Sequence, residues 1–222
     1  MKLQSYNDMK IEMIRSTPDP AMLIAQAIAI TMKQDFSTLK PINQNKCKFI
    51  LDAEHTSVLE HVSYTFLISG ISRSFLAQIT RQRMASPTSG SQHYQDYRDY
   101  PCSVHPDLQD SELVQDCLKN NLTDYISLVD NGTKPEEARQ ILPNAACVNY
   151  LWTINAHSLY WFLKKRMCNR NVLEMRIFAN RIHALATVHF PELFTNVGPQ
   201  CFMGTCKQGF LQCEQGFLEV IS

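Results

Sequence analysis

Residues 55–70 read HTSVLEHVSYTFLISG. The stretch opens polar, then places Val62, Tyr64, Phe66 and Ile68 on one face, with Ser63 and Thr65 on the other. A two-residue period marks a half-buried β-strand, because successive side chains of an extended chain point to opposite faces. A second strand is expected at 9–17, MKIEMIRST, which alternates apolar with polar and stops before Pro18. Around these strands the spacing is helical. DPAMLIAQAIAITMK (19–33) is aliphatic, with Asp19 as N-cap and Pro20 in the first turn. SRSFLAQITRQR (72–83) is read as a helix capped by Ser72 or Ser74, which puts Gln78 and Arg81 on one face. Residues 84–111 are polar and turn-rich and are read as a loop long enough to be functional.

SELVQDCLKNNLTDYISLVDNG (111–132) has helical spacing with a stop at Asn131-Gly132. TKPEEARQILP (133–143) opens a further helix with Pro135 near its start. WTINAHSLYWFLKKRMC (152–168) and NVLEMRIFANRIHALATVHF (171–190) are read as two long helices, with Asn171 and Glu174 as a capping box between them. The sum is an α+β fold, a small antiparallel or mixed sheet packed with several long helices. At 222 residues the chain is expected to be a single domain, 1–222, with a cysteine-containing tail at about 200–222.

Lys+Arg and Asp+Glu both number 21, so bulk charge points to neither nucleic acid nor a membrane surface, and any anion site must come from local placement. No segment reaches the ~18 apolar residues of a membrane span, and the N-terminus lacks a signal-peptide core. A cytoplasmic location is expected. Eight scattered cysteines in a chain of this size read as reduced thiols. In the tail, Cys201, Cys206 and Cys213 lack a C-x-x-C knuckle and an obvious fourth ligand, so free thiols or a local disulfide are favoured over a metal. His55 and His61 likewise have no third ligand at a recognisable spacing, and no metal site is expected.

TRQRMASPTSGSQHY (80–94) is the chemically ambiguous stretch. Its arginines could grip a phosphate through their planar forks, with hydroxyls and Gly90 closing round it. The plainer alternative is a cationic helix end followed by a solvated loop. Arg139 has an easy partner in Glu136, three residues earlier. Asn155, Leu159, Phe162 and Arg166 fall on one helical stripe with polar ends. Neither a G-x-G-x-x-G, a P-loop nor a Ser-His-Asp arrangement occurs.

The order of these pieces is what resembles a known family. HTSVLEH before a strand, then QITRQRMASPTSGSQHY, ARQILP, and WTINAHSLYWFLKKR with VLEMR after it look like the flavin-dependent thymidylate synthases. That family carries Arg-His-Arg, seven residues, a Ser, and then Arg-Tyr two residues on. Arg81, Arg83, Ser91 and Tyr94 match, as do Asn155, Arg166 and Glu174 in the later segment. The resemblance covers residues 50–199 and implies a thymidylate synthase-like fold and a homotetramer with active sites shared between subunits. It also implies a methyltransferase that converts dUMP to dTMP by reductive methylation. Methylenetetrahydrofolate gives the carbon, and NADPH reduces a bound FAD. By the same resemblance, Gln78, Arg81, Ser89, Gly90, Ser91, Gln92, His93, Arg139 and Arg166 form the dUMP site. His55, Ser57, Arg81, Gln82, Arg83, Asn155, His157 and Trp161 contact flavin. Arg166 holds the uracil and favours its ionisation, and Ser91 orients the substrate. No enzyme cysteine serves as nucleophile in that family.

Three signature positions differ. Gln82 stands where the family has His, and His93 and His157 where it has Arg. All three remove positive or titratable character. They imply weaker dUMP or FAD affinity, a different pyrimidine nucleotide such as UMP or dCMP for a C5-methylase or hydroxymethylase, or an impaired binding homologue. A phosphate contact through cationic His93 implies dUMP affinity that falls as pH rises from about 6 to 8.

Overall fold

The computed structural model describes residues 2–202, 204–206 and 208–213. In chain order the elements are β1 (Leu3–Ser5), β2 (Lys10–Ser16), α1 (Pro20–Met32), α2 (Gln44–Asp52), β3 (Ser63–Ser72), α3 (Arg73–Ile79), β4 (Ala85–Ser89), β5 (Cys102–Val104), α4 (Glu112–Asp130), α5 (Pro135–Ala138), β6 (Cys147–Asn155), α6 (Ala156–Arg166), α7 (Leu173–His189) and α8 (Pro191–Phe194). Strands β2, β3, β6 and β4 follow that order in a four-stranded sheet, and β1 pairs with β5 in parallel. The α+β expectation holds.

The chain forms two compact units. The first comprises Met1–Glu12, Leu67–Gln82 and Pro87–Trp152. Helix α4 turns Leu118, Leu122 and Tyr125 inward onto Tyr97, Tyr100, Cys102 and Ala146. The spacing i, i+4, i+7 puts those three on one stripe. The Tyr97 N–H donates to the Tyr125 hydroxyl at 3.3 Å, so the buried phenol is satisfied from the backbone. The Arg73 N–H donates to the Ala146 carbonyl at 3.0 Å, tying the start of α3 to the segment before β6.

The second unit comprises Met13–Phe66, Arg83–Ser86 and Thr153–Ser222. Phe162 of α6 meets Phe178 of α7 edge to face, centroids 6.1 Å apart. Tyr64 lies edge-on to Phe194 at 6.0 Å. All four rings are buried. Truncating one such Phe to Ala costs about 3–5 kcal/mol, because the cavity left behind closes only in part. The Ala156 N–H donates to the Val62 carbonyl at 2.7 Å, fixing the start of α6 against the chain entering β3.

Several boundaries differ from the sequence reading, each for a local reason. The expected helix 72–83 stops at Ile79, where Thr80 turns its hydroxyl back onto the Leu76 carbonyl at 2.8 Å. Met84 then takes a left-handed φ of 57°. Gln78 is therefore helical while Arg81, Gln82 and Arg83 lie beyond the helix, and Gln78 and Arg81 do not share a helical face. Residues 152–155, expected at the start of a helix, end strand β6 instead, where Val148, Tyr150, Trp152 and Ile154 are all buried. Residues 84–111 contain β4 and β5 rather than an unbroken loop. The 133–143 helix is one turn, α5, continued by a tighter turn at Arg139–Ile141. Asp19 is left-handed (φ 44°) and caps α1 only through its carbonyl, which accepts from Met22 and Leu23 N–H. Asn171 does not cap α7.

Candidate active site

The first unit holds most of the expected dUMP residues. Arg81 and Arg139 are both exposed, and among the described residues neither guanidinium has a protein partner. The anticipated Glu136–Arg139 pair is not formed. Glu136 instead reaches His93, with Nδ1 to Oε2 at 2.6 Å, and stands 3.9 Å from Lys134 Nζ. Two unpaired guanidiniums on a neutral chain are suited to an anionic ligand, since each offers a planar fork to phosphate oxygens.

Ser89 ends β4, and the Gly90 N–H donates to the Asn149 carbonyl at 2.9 Å, extending the pairing of β4 with β6 by one residue. A Cβ at Gly90 would sit 3.1 Å from Gln95 Oε1. The Ser91 hydroxyl accepts from the His93 N–H at 3.1 Å, and its carbonyl accepts from the Gln95 N–H at 3.1 Å. Ser91 thus shapes the turn that presents His93, and Gln92 is half-buried within that turn. A cavity of about 820 Å³ in the same unit is lined by Lys2, Gln4, Asp8, Gly70, Gln95 and Asn149 among others, and by none of the expected site residues.

The expected flavin residues of the second unit split into two kinds. His55 and Ser57 are exposed at the turn of Thr56–His61. Trp161 is 51% exposed, with Lys164 Nζ over its ring at 4.6 Å. Trp161, Lys164, Lys165 and Arg170 line a cavity of about 500 Å³. Asn155 and His157 are committed to the protein. The Asn155 amide oxygen accepts from the Ser158 N–H at 2.8 Å as the N-cap of α6. His157 meets Thr56 Oγ1 through Nε2 and Glu60 Oε1 through Nδ1, both at 3.3 Å. Both ring nitrogens are used in fastening α6 to the Thr56–His61 turn.

Arg166, in the last turn of α6, donates from Nη1 to Asn171 Oδ1 at 3.3 Å. Asn171 in turn donates from Nδ2 to the carbonyls of Lys165 (2.8 Å) and Cys168 (3.1 Å), satisfying the open end of α6. Sequence reading gave Asn171 and Glu136 other partners and missed Glu60 and Thr56, because each acts on a residue brought close only by the fold or by a turn.

The tail thiols gain a neighbour. Cys168, Cys201 and Cys206 line the same cavity as Trp161, and burial, then the nearby Cys168 thiol, pushes the Cys201 thiol up. Among the described residues no group of three His, Cys, Asp or Glu is arranged to hold a metal ion. Among them no helix is long and apolar enough to cross a membrane.

The model of the family described as "Thymidylate synthase complementing protein" matches residues 12–192. A flavin-dependent thymidylate synthase of Geobacter sulfurreducens is 33% identical over 218 residues, covering 92% of this chain and 94% of that one. One from Clostridium tetani is 28% identical, with 92% of each chain covered. Among solved structures, the UMP/dUMP methylase PolB from Streptomyces cacaoi, bound with 5-Br dUMP, superposes with a TM-score of 0.73 at 19% identity, over 88% of this chain and 96% of that one. Thymidylate synthase X from Helicobacter pylori, with FAD and dUMP, gives 0.68 at 22% identity, over 84% and 97%. These two likenesses establish the fold. The family match, which spans both units, together with the Geobacter relative, establishes the lineage: the chain belongs to the flavin-dependent thymidylate synthase family.

Proposed function

We propose that the protein methylates dUMP to dTMP, with methylenetetrahydrofolate as carbon donor and NADPH as reductant, as a cytoplasmic homotetramer whose active sites are shared between subunits. The observation that carries the reading is the pair of exposed guanidiniums, Arg81 and Arg139, without protein partners at signature positions of a family-matched segment. A nucleoside monophosphate brings about two negative charges near neutral pH, and these arginines meet them. Gln78, Ser89, Gly90, Ser91, Gln92 and His93 orient the nucleotide around them.

FAD, when bound, supplies the hydride chemistry. The exposed His55, Ser57 and Trp161, with Lys164, Lys165 and Arg170 around the adjoining cavity, fit an aromatic, phosphate-bearing group. Arg83 and Gln82, beyond α3, complete this set in the proposal. His157 and Asn155 support it from behind, as their side-chain bonds run to the protein. Arg166 holds the uracil and stabilises negative charge on the ring, which makes C5 a better nucleophile. Asn171 keeps that guanidinium in place.

The test is FAD uptake, read from the visible spectrum, followed by dTMP formation. UMP and dCMP, offered in parallel with product analysis, check the alternative pyrimidines raised by Gln82, His93 and His157. Protein that takes up no FAD, or that methylates UMP in preference to dUMP, contradicts the proposal.

A further inference from the structure

The two histidines that stand where the family has arginine are each paired with a glutamate, and the pairs differ in what they leave open. His157 has both ring nitrogens engaged, by Thr56 and Glu60. His93 uses Nδ1 on Glu136 Oε2 at 2.6 Å, and among the described residues its Nε2 has no partner. The ring is held on its other sides. Its backbone N–H bonds the Ser91 hydroxyl, and the Tyr94 ring stands edge-on at 4.2 Å.

A ring that donates from Nδ1 has two states at Nε2. Neutral, it offers a lone pair, which repels a phosphate oxygen; cationic, it offers an N–H, which binds one. A carboxylate at Nδ1 is matched to the second state. Arginine has two donors and a fixed charge in one side chain. A histidine needs a second residue to do the same.

We propose that Glu136 is a positioning residue for the nucleotide phosphate: by accepting from His93 Nδ1–H it fixes the ring with Nε2 free for a phosphate oxygen, so that cationic His93 and Glu136 together replace the family's arginine. The inference rests on the reading of the chain as a dUMP-binding enzyme. The charged groups around the pair are consistent with this role. Lys134 lies 3.9 Å from the other oxygen of Glu136 and offsets its charge. Asp96 is spent on Arg98 at 2.8 Å, and Arg98 also on Asp130 at 2.9 Å, so neither competes for His93. Glu137 and Arg139 flank the same turn, and Arg139 retains its free guanidinium because Glu136 is engaged elsewhere.

The experiment titrates FAD-loaded full-length protein with dUMP, and with deoxyuridine, which lacks the phosphate, between pH 6 and 8. It compares wild type, Glu136→Gln, His93→Arg and the double variant. In wild type, dUMP affinity falls as pH rises more steeply than in His93→Arg, which shares the phosphate's own ionisation. Glu136→Gln weakens dUMP about tenfold at the acid end, the low end for a hydrogen bond to a charged group, and flattens the profile. Deoxyuridine binding is unchanged. In the His93→Arg background, Glu136→Gln changes dUMP affinity less than about twofold, because the guanidinium does not depend on Glu136 for its orientation. Wild-type affinity and profile in Glu136→Gln overturn the inference. So does an equal loss in the His93→Arg background, which makes the glutamate act on the fold instead. A wild type that binds neither ligand removes the dUMP reading itself.

Discussion

Replacing Asn171 with Ala removes three hydrogen bonds at once: two from Nδ2, to the Lys165 carbonyl in the last turn of α6 and the Cys168 carbonyl just past it, and one into Oδ1 from Arg166. Each carbonyl bond contributes about 0.5–1.5 kcal/mol, and the site is partly solvated, so water takes over some of the lost contact. The expected destabilisation is about 1–2 kcal/mol, which lowers Tm by roughly 3–6 °C in a chain of this size. The third bond has a different consequence. Arg166 loses one of its contacts, and a less firmly held guanidinium stabilises ring charge less well. Turnover is expected to drop about tenfold, with KM for dUMP changed much less, since the contact matters most as charge develops. Differential scanning fluorimetry and tritium release from 5-labelled dUMP read the two effects separately. A Tm within 1 °C of wild type refutes the helix-end role, and full turnover in a destabilised variant refutes the Arg166 role.

Three further outcomes follow from the same geometry. Arg139→Ala weakens dUMP by at least about tenfold by calorimetry yet leaves Tm unchanged, because its exposed side chain holds nothing in the protein. His157→Ala does the reverse: it breaks the contacts to Thr56 and Glu60, costs about 1 kcal/mol in urea unfolding, and leaves dUMP affinity intact. Burial pushes the Cys47 and Cys102 thiols up to about 12 from 9.0. These groups stay protonated in the fold while the unfolded chain ionises, so their contribution is whole below pH 9 and is lost as pH climbs towards 12. The loss is at most about 1.4 kcal/mol per pH unit for each thiol, and equilibrium unfolding between pH 8 and 11 measures it; stability that rises over that range contradicts the assignment.

Much of the fold was legible because its signals were local. The alternation at 62–68 and the Asn131-Gly132 stop are written in adjacent residues, and α4 does end at Asp130 with Asn131 as its C-cap. The misreading of 152–155 came from continuity: the two-residue period of Val148, Tyr150, Trp152 and Ile154 runs directly into the helical period of α6, and Asn155 belongs to both. Strand β4, ASPTS, is exposed at four of its five positions, so it carries no apolar period to find. The site divides the same way. Its arginines and its Ser91 were visible as a motif. Glu136 behind His93 and Glu60 behind His157 were not, since these pairings join distant segments. Composition could only offer Glu136 to the nearer Arg139.

The central claim is tested most directly by incubating the FAD-reconstituted protein with 5-tritiated dUMP, methylenetetrahydrofolate and NADPH. Release of tritium to water in step with dTMP formation, dependent on all three additions and abolished by Arg166→Ala, is the predicted result. Bound FAD and bound dUMP without tritium release would contradict it, leaving a nucleotide- and flavin-binding protein that does not methylate.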